Sequence, residues 1–252
     1  MRANLTKRLL ADGKAAIGTF CTSSSALMAE AFGHAGFDYL MVDLQHGENE
    51  LANLQAMLQA VSATPATPLV RVAANMPFYI QRALDLGAYG VIVPMVNTCA
   101  EAEEVVRSIR YAPKGSRSWG PVRGTLYGGA DYFNKSHEEL LTMVMLETAD
   151  GLANAHDILT VEGIDGCFIG PNDLSLAMGY ASELAELPAQ VEEAIASILE
   201  ATVSTGKAAG IQTFAAAGAR ARIKQGFRFI SIQSDLRMAR ATAAQLIREI
   251  LQ

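Results

Sequence analysis

Four segments of the chain share one pattern: GFDYLMVD (36–43), GAYGVIVP (87–94), GIDGCFIG (163–170) and GFRFISIQ (226–233). Each begins with glycine, passes through two residues and enters an apolar, largely β-branched run. Glycine takes the left-handed position just past a helix, and the run that follows reads as a strand buried on both faces. The pattern is therefore a helix-to-strand joint, met four times. Four further runs, AAIGTF (15–20), PLVRV (68–72), LTMVML (141–146) and KAAGIQTF (207–214), bring the strands to eight.

Between them, apolar residues at three- and four-residue spacing predict helices over 24–34, 51–61, 77–86, 100–110, 149–160, 189–205, 215–225 and 235–251. Pro77 after Asn75, and Asp235 after Ser234, are good helix starts. Eight strands alternating with eight helices, with no Pro- or Ser-rich linker, predict one α/β domain over 1–252, a closed (β/α)8 TIM barrel. An open doubly wound sheet is the alternative. It would be expected to carry a glycine-rich phosphate fingerprint after its first strand, and GTFCTSSS is not one.

Composition narrows the partners. Half of the 252 residues are hydrophobic, enough for one large core, and 20 Lys and Arg against 26 Asp and Glu leave a net charge of −6. Such a chain lacks the positive field that phosphate backbones or anionic lipid require, so neither nucleic acid nor a membrane surface is expected. The three cysteines, Cys21, Cys99 and Cys167, show no C-x-x-C spacing. No continuous apolar segment predicts export or a membrane span, and a cytoplasmic location is expected.

Two connections exceed the usual two to six residues. The first, from 112 to about 137, holds five glycines, Trp119, Tyr127, Tyr132, Phe133, Arg117 and Arg123; the second, from 170 to about 188, opens with GPNDLS. Both are expected at the C-terminal ends of the strands, the face where barrel enzymes place their active sites.

The same rule sorts the polar residues. Strand two ends in Asp43, Gln45 and His46, strand three in Arg71 and strand five in Glu147, and strand six is followed by Asn172 and Asp173. Glu147 closes an apolar strand and is costly there unless it meets a cation. With Asp173 it offers two oxygen ligands from neighbouring strands, as an octahedral Mg2+ or Mn2+ site requires. The structural alternative pairs Glu147 with Arg71 and makes Asp173 a helix cap. Zinc fits less well, because only His46 of the four histidines falls on this face; His34, His137 and His156 read as solvated or structural, His137 at a helix start.

Arg71 presents a fixed fork suited to a carboxylate or an oxyanion, or else to an ion pair with Glu147 or Asp43. His46 is a candidate general base. None of the six lysines lies inside the barrel near its catalytic end, which disfavours imine catalysis. The cysteines read as packing.

At these residues the sequence resembles the HpcH/HpaI family of metal-dependent pyruvate aldolases, from about Gly18 to the C-terminus. The matching stretches are YLMVDLQHG (39–47), PLVRV (68–72), ALDLGAYGVIVPMV (83–96), MLETADGLAN (145–154) and VEGIDGCFIGPNDLSLAMGY (161–180). The resemblance implies a divalent metal (Mg2+, Mn2+ or Co2+) held by Glu147 and Asp173, with no organic cofactor. It implies His46 as base, Asp85 raising its basicity and Arg71 steadying an enolate oxygen. Gln45 would touch the substrate, and the backbone of Gly170, Pro171, Asn172 and Asp173 would cradle its carboxylate. Arg117 and Arg123 are either recognition groups for a distal carboxylate or plain loop charges.

The implied reaction is reversible cleavage of a 4-hydroxy-2-oxoacid to pyruvate or hydroxypyruvate and an aldehyde. The implied assembly is a hexamer, a trimer of dimers in which the last helix exchanges with a neighbour. A related acyl-CoA lyase or oxaloacetate decarboxylase is the alternative, and a silent metabolite-binding barrel is the alternative of another class. Two positions depart from the family: many members carry Glu where Gln45 stands, and a substrate-contacting Gln where Met145 stands. Gln45 keeps hydrogen-bonding capacity; Met145 does not.

Overall fold

The computed structural model of the chain describes residues 1–182 and 186–252. Eight parallel strands close in chain order: β1 (Ala16–Cys21), β2 (Tyr39–Asp43), β3 (Thr67–Arg71), β4 (Gly90–Val93), β5 (Leu141–Met145), β6 (Gly166–Ile169), β7 (Ala208–Thr213) and β8 (Phe229–Ser234), with β8 pairing back onto β1. This is the (β/α)8 barrel that the glycine joints predict. Gly36, Gly87, Gly163 and Gly226, which open the four repeated segments, all have positive φ, between 98° and 119°. Each lets a returning helix turn sharply into the next strand.

Two apolar layers hold the barrel. Leu40, Val42, Val70, Val91, Val144 and Ile211 face outward and pack under the helices. Phe20, Tyr39, Met41, Leu69, Met143, Met145, Phe168 and Phe229 fill the interior. The Tyr39 and Phe229 rings stack at 4.2 Å between centroids. Gly18, in register with Tyr39, leaves the space for that ring, since a Cβ there would fall 2.4 Å from it.

A helix at Leu5–Ala11, which no apolar periodicity announced, precedes β1. Asn4 caps it through Lys7 N, while Asn4 Nδ2 donates to Tyr89 O and Glu139 O, each at 2.8 Å. The amide thus ties the N-terminus to the start of β4 and the entry to β5. The expected 149–160 helix is two, Ala149–Ala153 and Ala155–Thr160, broken at Asn154, whose Nδ2 donates to Asn97 O at 2.8 Å.

The 112–137 connection requires a correction. It leaves the helix Cys99–Ile109 and leads into β5, so it lies at the N-terminal ends of the strands, opposite the expected face. It also carries two helices, Val122–Gly128 and Tyr132–Glu139, and His137 falls in the last turn of the second rather than at a helix start. The 170–188 connection does leave a strand's C-terminal end, as expected; residues 183–185 of it lie outside the described residues. No helix among the described residues is long and apolar enough to cross a membrane.

Candidate active site

At the C-terminal mouth of the barrel is a cavity of about 310 Å³. Its wall includes Asp43, His46, Arg71, Gly170, Pro171, Asn172 and Asp173, with Phe20, Met145 and Phe168 as apolar neighbours. Strand register explains the first contact. Asp43 and Arg71 are the last residues of β2 and β3 and stand directly opposite, so their side chains leave the sheet on the same side. Arg71 donates through Nε to Asp43 Oδ1 at 2.9 Å and through Nη2 to Asp43 Oδ2 at 2.7 Å. Of the two ion-pair partners open to Arg71 in the sequence, the structure selects Asp43. The guanidinium also lies 4.4 Å from the centre of the Phe20 ring, a cation–π contact.

Asp43 organises more than Arg71. Its Oδ1 accepts from the backbone N–H groups of Gln45 at 3.0 Å and His46 at 3.3 Å, which fixes the turn that carries His46 to the cavity wall. His46 is solvent-exposed. Gln45 follows the same turn but does not line the cavity, and its buried Oε1 has no hydrogen-bond partner among the described residues.

Glu147 stands two residues past β5 with only 2% of its surface exposed. Its Oε1 accepts from Met95 N at 3.1 Å; its Oε2 is buried with no partner among the described residues. Met95 holds φ 56°, an uncommon conformation for a residue with a side chain. Burial, reinforced by the Asp173 carboxylate, pushes the Glu147 pKa up to about 7. The two carboxylates meet around one atom: a Cβ on Gly170 would lie 2.9 Å from Glu147 Oε2 and 3.3 Å from Asp173 Oδ2. Glycine at 170 therefore keeps open the space between two acids.

The structure gathers Asp43, His46, Arg71 and residues Gly170–Asp173 in the cavity wall, sets Glu147 against Gly170 behind that wall, leaves Gln45 beside it, and holds Asp85, Arg117 and Arg123 away from the mouth. Asp85 ends the helix Pro77–Asp85, on the far face of the barrel, where Arg117 Nη2 donates to its Oδ1 at 2.8 Å. Arg117 is buried against Tyr111 and Tyr132, and donates through Nη1 to Tyr132 Oη at 3.2 Å. Arg123 donates to Leu86 O at 2.9 Å and Ser62 Oγ at 3.0 Å, binding the ends of two helices. Within one chain these are anchors of the 112–137 segment rather than groups of the mouth. The reason is the topology above: a segment between a helix and the next strand cannot reach the other end of its own barrel.

Sequence reasoning also passed over part of the wall. Gln212, Phe214, Gln233 and Ser234, at the ends of β7 and β8, and Arg237, in the first turn of the last helix, line the same cavity. Their signal was the strand-end rule itself, which applies to 207–214 and 226–233 as much as to the strands where it was used.

A (β/α)8 barrel with an acid pair, a held guanidinium and an imidazole at its C-terminal mouth carries titratable and charged groups where barrel enzymes place their active sites. The profile of the HpcH/HpaI aldolase/citrate lyase family matches residues 16–241, and the chain belongs to that family. It is 39% identical over 236 residues to the hydroxypyruvate/pyruvate aldolase of Rhizorhabdus wittichii, covering 94% of each chain. It is 34% identical over 245 residues to the 5-keto-4-deoxy-D-glucarate aldolase of Klebsiella pneumoniae, covering 96% of this chain and 95% of that one. The crystal structure of an HpcH/HpaI aldolase/citrate lyase family protein from Burkholderia cenocepacia superposes with a TM-score of 0.93 at 31% identity, covering 99% of this chain and 100% of that one.

Proposed function

We propose that this lyase is a divalent-metal-dependent (class II) aldolase, reversibly cleaving a 4-hydroxy-2-oxoacid to pyruvate or hydroxypyruvate and an aldehyde through an enolate. The carrying observation is the convergence of Glu147 Oε2, buried and without a partner among the described residues, with Asp173 on the space kept open by Gly170. Two hard oxygen donors in a half-buried place, costly as bare carboxylates, suit Mg2+, Mn2+ or Co2+ and leave further positions for water and substrate. Such an ion, when bound, supplies Lewis-acid polarisation of the 2-oxo group.

This chain's residues do the rest. Backbone amides over 170–173 hold the substrate carboxylate. His46 removes the proton of the 4-hydroxyl, the C3–C4 bond breaks, and the aldehyde departs as electrons pass onto the 2-oxo group. Arg71, steered by Asp43 and with Nη1 not engaged by it, meets the negative charge that develops on that oxygen. Protonation at C3 yields the 2-oxoacid, and synthesis is the reverse.

The resemblance pairs Asp85 with His46, yet the two lie at opposite ends of one barrel, so that pairing requires a second copy. The last helix, Asp235–Leu251, supports self-association: Leu246, Ile247, Ile250 and Leu251 are all more than half exposed. Assembly is proposed as a hexamer in the cytoplasm, without nucleic acid, membrane or organic cofactor. The test is an aldol screen pairing pyruvate and hydroxypyruvate with several aldehydes under Mg2+, Mn2+ and Co2+. Aldol formation under metal supports the reading, and no product with any pair overturns it.

A further inference from the structure

The reaction above uses one side of the cavity, built from β2, β3, β5 and the segment after β6. The opposite side, at the ends of β7 and β8, is also polar, and nothing in that reaction employs it. Gln212, in β7, directs Nε2 to two main-chain carbonyls, Gln233 O at 3.1 Å and Thr213 O at 3.3 Å. Because both partners are acceptors, the amide can stand only one way round, with nitrogen on the carbonyls and Oε1 left to accept. That oxygen is buried and has no hydrogen-bond partner among the described residues. A buried acceptor left unsatisfied destabilises its site until a donor arrives.

The next strand locks this arrangement. Gln233 adopts φ 53°, in the left-handed region that favours glycine, and its Nε2 donates to Phe214 O at 2.8 Å. Two carboxamides thus clasp the ends of β7 and β8, one of them held in an uncommon backbone conformation at the cavity edge. Backbone strain of this kind concentrates where ligands bind. With the 2-oxoacid on the Glu147 and Asp173 side, this wall is the one left to face its reaction partner.

We infer that the β7–β8 wall is the acceptor subsite, and that Gln212 Oε1 accepts a hydrogen bond from a hydroxyl of the aldehyde, so that hydroxyaldehydes are selected over alkyl aldehydes. The inference rests on the aldolase reading. An alkyl chain of equal size leaves Oε1 unpaired, and sites built to bond a hydroxyl reject analogues lacking it far more strongly than apolar pockets reject a methylene.

The experiment compares kcat/KM for glycolaldehyde and propanal, near-isosteric acceptors, with pyruvate and Mg2+ on wild type, Gln212→Leu and Gln212→Met. The second variant, unbranched like glutamine, guards against a packing defect in the first. Wild type is expected to favour glycolaldehyde, and the glycolaldehyde-to-propanal ratio should fall about tenfold or more in both variants, through loss on glycolaldehyde alone. An unchanged ratio, or equal losses on both aldehydes, overturns the subsite. A separate measurement follows exchange of the pyruvate methyl hydrogens with D2O, which needs enolisation but no aldehyde. Wild type without exchange would remove the aldolase reading and the inference with it, whereas exchange with an unchanged ratio refutes the acceptor subsite alone.

Discussion

Arg71 and Asp43 end neighbouring strands in exact register, and their side chains close a two-point ion pair at 2.9 and 2.7 Å, both almost wholly buried. The pair makes the guanidinium a rigid donor at the cavity wall, while the second function of Asp43, holding the amides of Gln45 and His46, sets the imidazole beside it.

Replacing Arg71 by Ala should lower aldol turnover by about 10²–10³, the usual loss when one donor to a developing oxyanion is removed. Metal affinity, read by calorimetry, should change much less. Replacing Asp43 by Ala leaves a buried guanidinium uncompensated and should cost about 3–5 kcal/mol in urea unfolding. An Arg71→Ala enzyme with normal turnover contradicts the role given to Arg71.

Glu147 sets a pH dependence. Its folded pKa of about 7 stands above the ordinary 4.5, so folding favours the protonated form. The stability this contributes is present below pH 4.5 and lost as pH rises through 7. In metal-free protein at pH 8, Glu147→Gln should therefore raise stability, on the order of 1–3 kcal/mol. The same variant should bind Mg2+ more weakly, and wild-type Mg2+ affinity should climb between pH 5 and pH 8 as the carboxyl gives up its proton. Thermal melts with and without Mg2+ across that range measure both effects.

Gly170→Ala places a methyl group 2.9 Å from Glu147 Oε2 and 3.3 Å from Asp173 Oδ2. The φ of this residue is −94°, so alanine adds no backbone strain. The variant should fold with a near-normal melting temperature yet lose at least about tenfold in metal affinity, a change of roughly 1.4 kcal/mol. Calorimetric titration with Mn2+ decides it.

Prolonged chelation should abolish aldol activity, and added Mg2+, Mn2+ or Co2+ should restore it. Full activity in the chelated enzyme would contradict the assignment of Glu147 and Asp173.

Asp85→Asn weakens the partner of a buried arginine on the far face, at Arg117. It should lower stability by about 1–3 kcal/mol, since hydrogen bonds to charged groups are the stronger ones. If copies complete one another's mouths, its turnover should also fall in protein that remains fully folded and assembled, as followed by circular dichroism and light scattering.

Elements that depend on neighbours in the chain were legible in the sequence. The glycines at 36, 87, 163 and 226 needed positive φ because a helix and a strand meet there, and the alternation of such joints with apolar runs implied a closed barrel. That topology in turn sent Asp43, Arg71, Glu147 and Asp173 to one mouth, since all lie at or just past strand ends. What depends on which atoms meet across the barrel was decided only by the tertiary structure. The choice of Asp43 over Glu147 as partner of Arg71 came from strand register. The removal of Arg117 and Arg123 to the far face came from the direction in which the chain enters β5. The clasp of Gln212 and Gln233 joins the ends of two strands and has no local pattern. Short-range backbone geometry is written in adjacent residues, whereas a buried hydrogen bond is a property of two strands brought side by side.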